Sequence, residues 1–312
     1  LRHVFRFVSA SEYLFVGGVC RVWKKAWGTH QCKTSLTSVV QSVSRLAWAK
    51  ASGFAWSAHT SAVAAGGGHL AVLQFARANG CPWDARTCSS AAGGGHLDVL
   101  RWARANGCLW DSSTLSLSAF FGHLEVVRWA RANGCPWDQG VCADAAYGGQ
   151  LAALSWVRAN GCPWDQRTCA CAAMGGHLEV LQFARAFGCP WDQRVCADAA
   201  YGGHLEVLKW ARANGCPWDR DTCVGAASSG SLGLLKWARD NGCPWDERTC
   251  ESAARWGFLR ILTWARANGC PWNGGTCSAA LQGENMGVLK WARANGCPWD
   301  SETKAIAARR GY

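Results

Sequence analysis

Cys189-Pro190-Trp191-Asp192-Gln193-Arg194-Val195-Cys196-Ala197-Asp198-Ala199-Ala200-Tyr201-Gly202-Gly203-His204-Leu205-Glu206-Val207-Leu208-Lys209-Trp210-Ala211-Arg212-Ala213-Asn214-Gly215 decides the fold. Asp192 is placed to start a helix, because its side-chain oxygen can accept a hydrogen bond from an orphan N–H of the first turn. A short helix is expected over about 193–201, where Ala199-Ala200 lets a neighbour approach closely. Gly202-Gly203 breaks that helix and turns the chain. A second helix is expected over about 204–214, with Leu205, Leu208 and Ala211 on one stripe and Val207 and Trp210 beside it. Gly215 ends it, since glycine takes the left-handed conformation of a helix C-cap without a Cβ clash. Arg212, in the last turn, complements the helix dipole.

The unit recurs at a constant step of 27 residues, from Cys81 through Cys108 and Cys135 to Cys297, with no insertion or deletion. A tryptophan follows each cysteine by two positions, from Trp83 to Trp299, and Trp56 extends that register one unit earlier. The cap slot holds Ser57, Asp84, Asp111, Asp138, Asp165, Asp219, Asp246, Asn273 and Asp300, all good N-caps. Nine full repeats span 54–296, a divergent one precedes them at about 27–53, and a half repeat follows. A pair of helices this short cannot bury its own apolar face, whereas stacked pairs can, so stability must come from nearest-neighbour interfaces. The expected fold class is all-α, a helix-turn-helix repeat solenoid over 27–312. Each second helix carries an aromatic residue, from Trp48 and Phe75 to Trp291, and this ladder and the loop tryptophans are read as core.

Gly203-His204-Leu205-Glu206-Val207-Leu208-Lys209-Trp210 resembles the second helix of the ankyrin repeat, and the Ala-Ala pair and Gly-His turn sit where that repeat has them. The resemblance covers about residues 54–310. Ankyrin units run to about 33 residues, so these are shorter. Cys-Pro-Trp-Asp stands in for the projecting β-turn finger, and the family's Thr-Pro-Leu-His entry becomes Thr-Cys, as in Thr222-Cys223. The resemblance implies an ankyrin-like solenoid without long fingers, whose function is to bind another protein.

The chain has 312 residues, 49% of them hydrophobic, enough for a core and against wholesale disorder. A net charge of +11 leaves an acidic partner open. No apolar run approaches the roughly 18 residues of a membrane span, and no signal peptide is read at the start. The expectation is a monomeric cytoplasmic or nuclear protein. The chain opens on Leu1 and closes at Tyr312 after one helix of a further unit, so both ends are expected to be truncated. Residues 1–26 lie outside the repeat pattern. Val4-Phe5, Phe7-Val8, Glu12-Tyr13-Leu14 and Val19-Cys20-Arg21-Val22-Trp23-Lys24 resemble the later part of an F-box, without its upstream Leu-Pro. That resemblance implies docking on the Skp-type adaptor of a cullin ubiquitin ligase through Phe5, Phe7, Val8, Tyr13, Leu14, Val19, Cys20 and Trp23. A plain helical cap over the first repeat is the competing reading, since a solenoid needs one.

Seven repeats carry a Cys-x6-Cys pair, from Cys81/Cys88 to Cys270/Cys277. A zinc site needs four converging ligands, and thiols of neighbouring repeats are expected too far apart to converge. A disulfide within each pair competes, but Cys108 faces Leu115 and Cys297 faces Lys304 across the same spacing. Buried free thiols acting as small hydrophobes are the reading adopted, with no metal and no cofactor. His69, His96, His123, His177 and His204 share a slot that holds Phe258 or Asn285 elsewhere, which suits a polar residue bonding the turn and helix start better than a catalytic base. No nucleophile–base set, paired acids or phosphate loop stands out, and no enzyme is expected. The arginine ladder from Arg77 to Arg293 is read as dipole-complementing charge on a solvated face. Together with the tryptophans it leaves nucleic-acid or other polyanion binding as the alternative function.

Slots that vary between repeats are not needed by the frame. The most variable lies at the end of the first helix: Gly66, Gly93, Phe120, Tyr147, Met174, Tyr201, Ser228, Arg255 and Gln282. Asp144, Asp198 and Glu251 lie just before the Ala pair. Phe120, Tyr147, Met174, Tyr201, Arg255 and Gln282 with these three acids are the expected partner-binding residues, drift on a solvent face being the bland alternative.

Overall fold

The computed structural model describes residues 35–299, 303–305 and 307. They divide between Val141 and Cys142 into two units. The first holds α1 (Leu36–Val39), α2 (Val43–Ala51), α3 (Ala58–Gly66), α4 (Leu70–Ala78), α5 (Ala85–Gly93), α6 (Leu97–Ala105), α7 (Ser112–Phe120) and α8 (Leu124–Ala132). The division falls in the first turn of α9 (Gln139–Tyr147). The second unit continues with α10 (Leu151–Ala159), α11 (Gln166–Met174), α12 (Leu178–Ala186), α13 (Arg194–Tyr201), α14 (Leu205–Ala213), α15 (Arg220–Ser228), α16 (Leu232–Asp240), α17 (Glu247–Arg255), α18 (Leu259–Ala267), α19 (Gly274–Gln282) and α20 (Met286–Ala294). No strand occurs among the described residues. The architecture is the expected all-α helix-turn-helix repeat solenoid, with short loops in place of fingers. No described helix is long and apolar enough to cross a membrane. The F-box-like residues Phe5 to Trp23 lie outside the described residues.

Local chemistry sets the helix ends. Asp84, Asp165 and Asp219 each accept a bond from the backbone N–H two residues on, at 3.0, 2.9 and 2.9 Å. Gly203 and Gly215 turn the chain at φ of 76° and 80°, a conformation L side chains resist. The glycine slot of Gly203 is filled at the last described turn by Glu284, the one non-glycine with positive φ among the described residues, at 58°. Left-handed backbone costs an L residue roughly 1–2 kcal/mol, partly offset by the looser unfolded chain of glycine. Glu284→Gly is therefore expected to raise stability by about 0.5–1 kcal/mol in urea unfolding; a loss of stability would show that the Glu284 side chain holds the turn.

Within each unit, first helices pack on the first helices of adjoining repeats and on their own second helices. The fully buried side chains are small or aliphatic: Ala199, Ala200, Cys196, Leu208 and Ala211 in the repeat quoted above, and Leu73, Leu100, Leu154, Leu235 and Leu262 elsewhere. The tryptophans are not among them, but rings of both ladders, Trp83, Trp102, Trp110 and Trp129, pack against this core from its edge. Trp218, Trp237 and their equivalents are half-buried. The interior is already closed by alanine, cysteine and leucine, whose small volumes bring the helices too close together for an indole. The rings instead seal the edge where the second helices meet the loops. The loop and helix tryptophans of one repeat meet edge to face, Trp83 with Trp102 at 5.7 Å and Trp218 with Trp237 at 6.0 Å.

Candidate partner-binding surface

The first-helix strip is described unit by unit. In the first unit Phe120 is half-buried and meets the exposed Phe121 ring edge to face at 4.7 Å. In the second unit Tyr147 and Tyr201 are 45% and 40% exposed, Arg255 and Gln282 are exposed, and Met174 is half-buried. Asp144, Asp198 and Glu251 are half-buried, three or four residues before Tyr147, Tyr201 and Arg255 on the same helices. The Ala pairs beneath the strip are fully buried.

Two acids of this strip, Asp198 and Glu251, carry a charge penalty. Burial pushes the Asp198 carboxyl up from 3.8 to about 6, against the pull of the Arg194 guanidinium. Arg194 is engaged with Asp192 at 2.8 Å. Glu251 is also pushed up, first by burial and then by neighbouring Glu247. Burial likewise raises the Tyr201 phenol. Because the folded pKa of Asp198 lies above its unfolded one, the native state holds this proton more tightly. Its contribution to stability is full below about pH 4 and is lost as pH rises through about 6. Asp198→Asn removes that dependence. The variant is expected to be more stable than the parent by about 1 kcal/mol at neutral pH, allowing for solvent screening, with the gap closing near pH 4. Urea midpoints of both proteins across that range measure it, and a gap independent of pH would contradict the assignment.

The arginine ladder is not a free cationic face. Arg77 lies 4.1 Å over the Trp83 ring and donates from Nη1 to the Cys81 carbonyl at 2.7 Å. Arg212 lies 4.1 Å over Trp218 and also reaches the Cys216 carbonyl. The expected solvated charge is thus a clip, half-buried in most repeats, between the end of a second helix and the next loop. Clefts of about 310 Å³ open beside these clips, one lined by Lys209, Arg212, Ala213, Trp218, Trp237 and Asn241. The Asn241 amide there donates to the Trp237 carbonyl at 2.8 Å. Stacking and hydrogen-bonding groups in the cleft are spent on the frame.

The histidines also serve the frame, but not as expected. None of His69, His96, His123, His177 and His204 caps its own helix with its side chain. Instead Nε2 of His96, His123 and His204 bonds the carbonyl of Gly66, Gly93 and Met174, at 3.1, 3.0 and 3.1 Å. Each satisfies an orphan carbonyl at the end of the preceding repeat's first helix. Asn285 does the same for Arg255, donating from Nδ2 at 2.6 Å.

The cysteines lie buried, as expected of small hydrophobes. All described cysteines are free thiols, and all but the half-buried Cys171 are buried. Their partners are not seven residues away. The helix thiol Cys88 faces the loop thiol Cys108 of the next repeat, as Cys169 does Cys189 and Cys196 does Cys216; the Cys169 Sγ lies 4.0 Å from the Cys189 carbonyl oxygen. The spacing rule missed this because the loop folds back over the preceding first helix. There the loop thiol donates to the cap residue's carbonyl, Cys108 to Asp84 at 3.3 Å and Cys216 to Asp192 at 3.4 Å.

No protein-family model matches the chain, and no curated protein matches it. Among solved structures it is similar to the crystal structure of the human ASB11 ankyrin repeat domain, at 16% identity and a TM-score of 0.41, over 50% of this chain and 84% of that one.

Proposed function

We propose that the chain is a non-catalytic scaffold that binds a partner protein along the first-helix strip. In the second unit that strip comprises Tyr147, Met174, Tyr201, Arg255 and Gln282 with Asp144, Asp198 and Glu251; Phe120 occupies the same slot in the first unit. The observation that carries the reading is the exposure of Tyr147 and Tyr201 in a slot that Gly66, Gly93 and Ser228 fill without loss to the frame. Large aromatics on a rigid surface are the side chains most often found at the centre of protein interfaces. A cationic or mixed segment of the partner suits the three acids. The F-box-like residues 1–26 support a narrower role, in which the array selects substrates for a cullin ubiquitin ligase and Phe5, Phe7, Val8, Tyr13, Leu14, Val19, Cys20 and Trp23 dock a Skp-type adaptor.

Immobilised wild type and a Tyr147→Ser/Tyr201→Ser variant test the scaffold role. A protein retained by the first should be lost at least about tenfold by the second, with unfolding unchanged. Equal retention would move binding off the strip. The adaptor role is tested separately, by co-purification with a Skp-type adaptor that Trp23→Ala abolishes.

A further inference from the structure

The thiol pairs are left unused by partner binding. Seven first-helix cysteines each meet a loop cysteine twenty positions on: Cys88 with Cys108, Cys142 with Cys162, Cys169 with Cys189, Cys196 with Cys216, Cys223 with Cys243, Cys250 with Cys270 and Cys277 with Cys297. Every pair lies within one unit. Where serine replaces the helix thiol, Ser61 Oγ stands 3.4 Å from Cys81 Sγ, which gives the scale of the contact.

We propose that these pairs are dithiol–disulfide sites, oxidised by a low-molecular-weight disulfide such as oxidised glutathione, and that each bond ties one repeat covalently to the next. A small hydrophobe would suffice for packing, as Leu115 opposite Cys135 shows. Two facing thiols in seven interfaces do more than packing requires. They are also unequal. The bond from the helix thiol holds the loop thiols Cys108, Cys189, Cys216 and Cys243 below their usual value, with the nearby guanidinium helping. The helix thiols, left facing a loop thiolate and buried, are pushed far up. Cys135, which has Leu115 and no thiol opposite, is pushed up to about 11 by burial. In these four pairs the loop sulfur is the nucleophile, whereas in Cys277–Cys297 the loop thiol is the one pushed up.

The reaction balances in two exchanges. The Cys189 thiolate attacks one sulfur of oxidised glutathione, forming a mixed disulfide and expelling a glutathione thiolate. The Cys169 thiol passes its proton to that thiolate and attacks the Cys189 sulfur, forming the Cys169–Cys189 bond and releasing the second glutathione. Two protein thiols lose two electrons and two protons, and one oxidised glutathione becomes two reduced molecules. Both sulfurs are buried, so the first attack waits on local opening of the loop around Gly188 and Pro190, which are exposed.

Treating the full reduced chain with oxidised glutathione, alkylating the remaining thiols and sequencing the unreduced peptides by mass spectrometry tests this. The expected result is linkage of the seven named pairs, with Cys81 and Cys135 unlinked, and an unfolding midpoint shifted upward. Cys169→Ala should leave Cys189 trapped as a glutathione adduct. Leu115→Cys should add a bond to Cys135, where the wild type has none. Linkage within Cys-x6-Cys pairs, scrambled linkage, stable glutathione adducts at paired cysteines of the wild type, or thiols that stay reduced while an added dithiol control is oxidised would each overturn the proposal. None of these outcomes bears on the first-helix strip.

Discussion

Leu208→Ala should destabilise the second unit by about 3 kcal/mol. The Leu208 side chain is fully buried on α14. Truncation removes apolar contact and leaves a cavity that its close-packed alanine and cysteine neighbours cannot collapse to fill. Stability in a repeat stack is a sum of local and nearest-neighbour terms, so the loss should appear as early unfolding around one repeat rather than a uniform weakening. Urea unfolding followed by fluorescence should show a lowered midpoint together with a broadened or split transition. A cost under about 1 kcal/mol would mean that the leucine ladder is not what closes the interior.

Trp218→Ala should cost about 2 kcal/mol, less than burial of a whole indole would suggest because the ring is half-exposed to begin with. The loss has three sources: apolar area on the edge seam, the edge-to-face contact with Trp237 at 6.0 Å, and the guanidinium of Arg212 stacked 4.1 Å above. The contact and the stack contribute roughly 1 kcal/mol together. Trp256 provides the contrast. It is 60% exposed, stands where most repeats have glycine, and Trp256→Ala should change stability by less than about 0.5 kcal/mol. Similar losses at the two sites, measured by the same unfolding assay, would contradict the division of the tryptophans into seam and surface.

The frame was legible in one repeat. Asp192, Gly202-Gly203 and Asn214-Gly215 bracket helices at 194–201 and 205–213, inside the expected 193–201 and 204–214. Cap and turn chemistry acts over a few residues, and a constant 27-residue step left no doubt about register. What periodicity could not convey was which residues of one repeat meet which residues of the next. That is why the histidines read from sequence as serving their own turns, whereas they bond carbonyls thirty positions earlier, as His204 does Met174. It is also why the spacing does not reveal which thiols face each other across an interface. The tryptophans pack on the core without filling it. Frequency and regularity suggest a core, but side-chain volume decides it, and Ala199, Ala200 and Cys196 had already closed the space. The first-helix strip was found from its variability, and the exposure of Tyr147 and Tyr201 agrees with a slot the frame does not need.

The account rests on repeats that hold one another. Amide hydrogen exchange on the full Leu208→Ala chain, read peptide by peptide, tests this most directly. Protection should fall most in 189–215, less in the two adjoining repeats, and fade with distance along the second unit. Equal loss throughout that unit, or loss confined to α14 with its neighbours untouched, would contradict it.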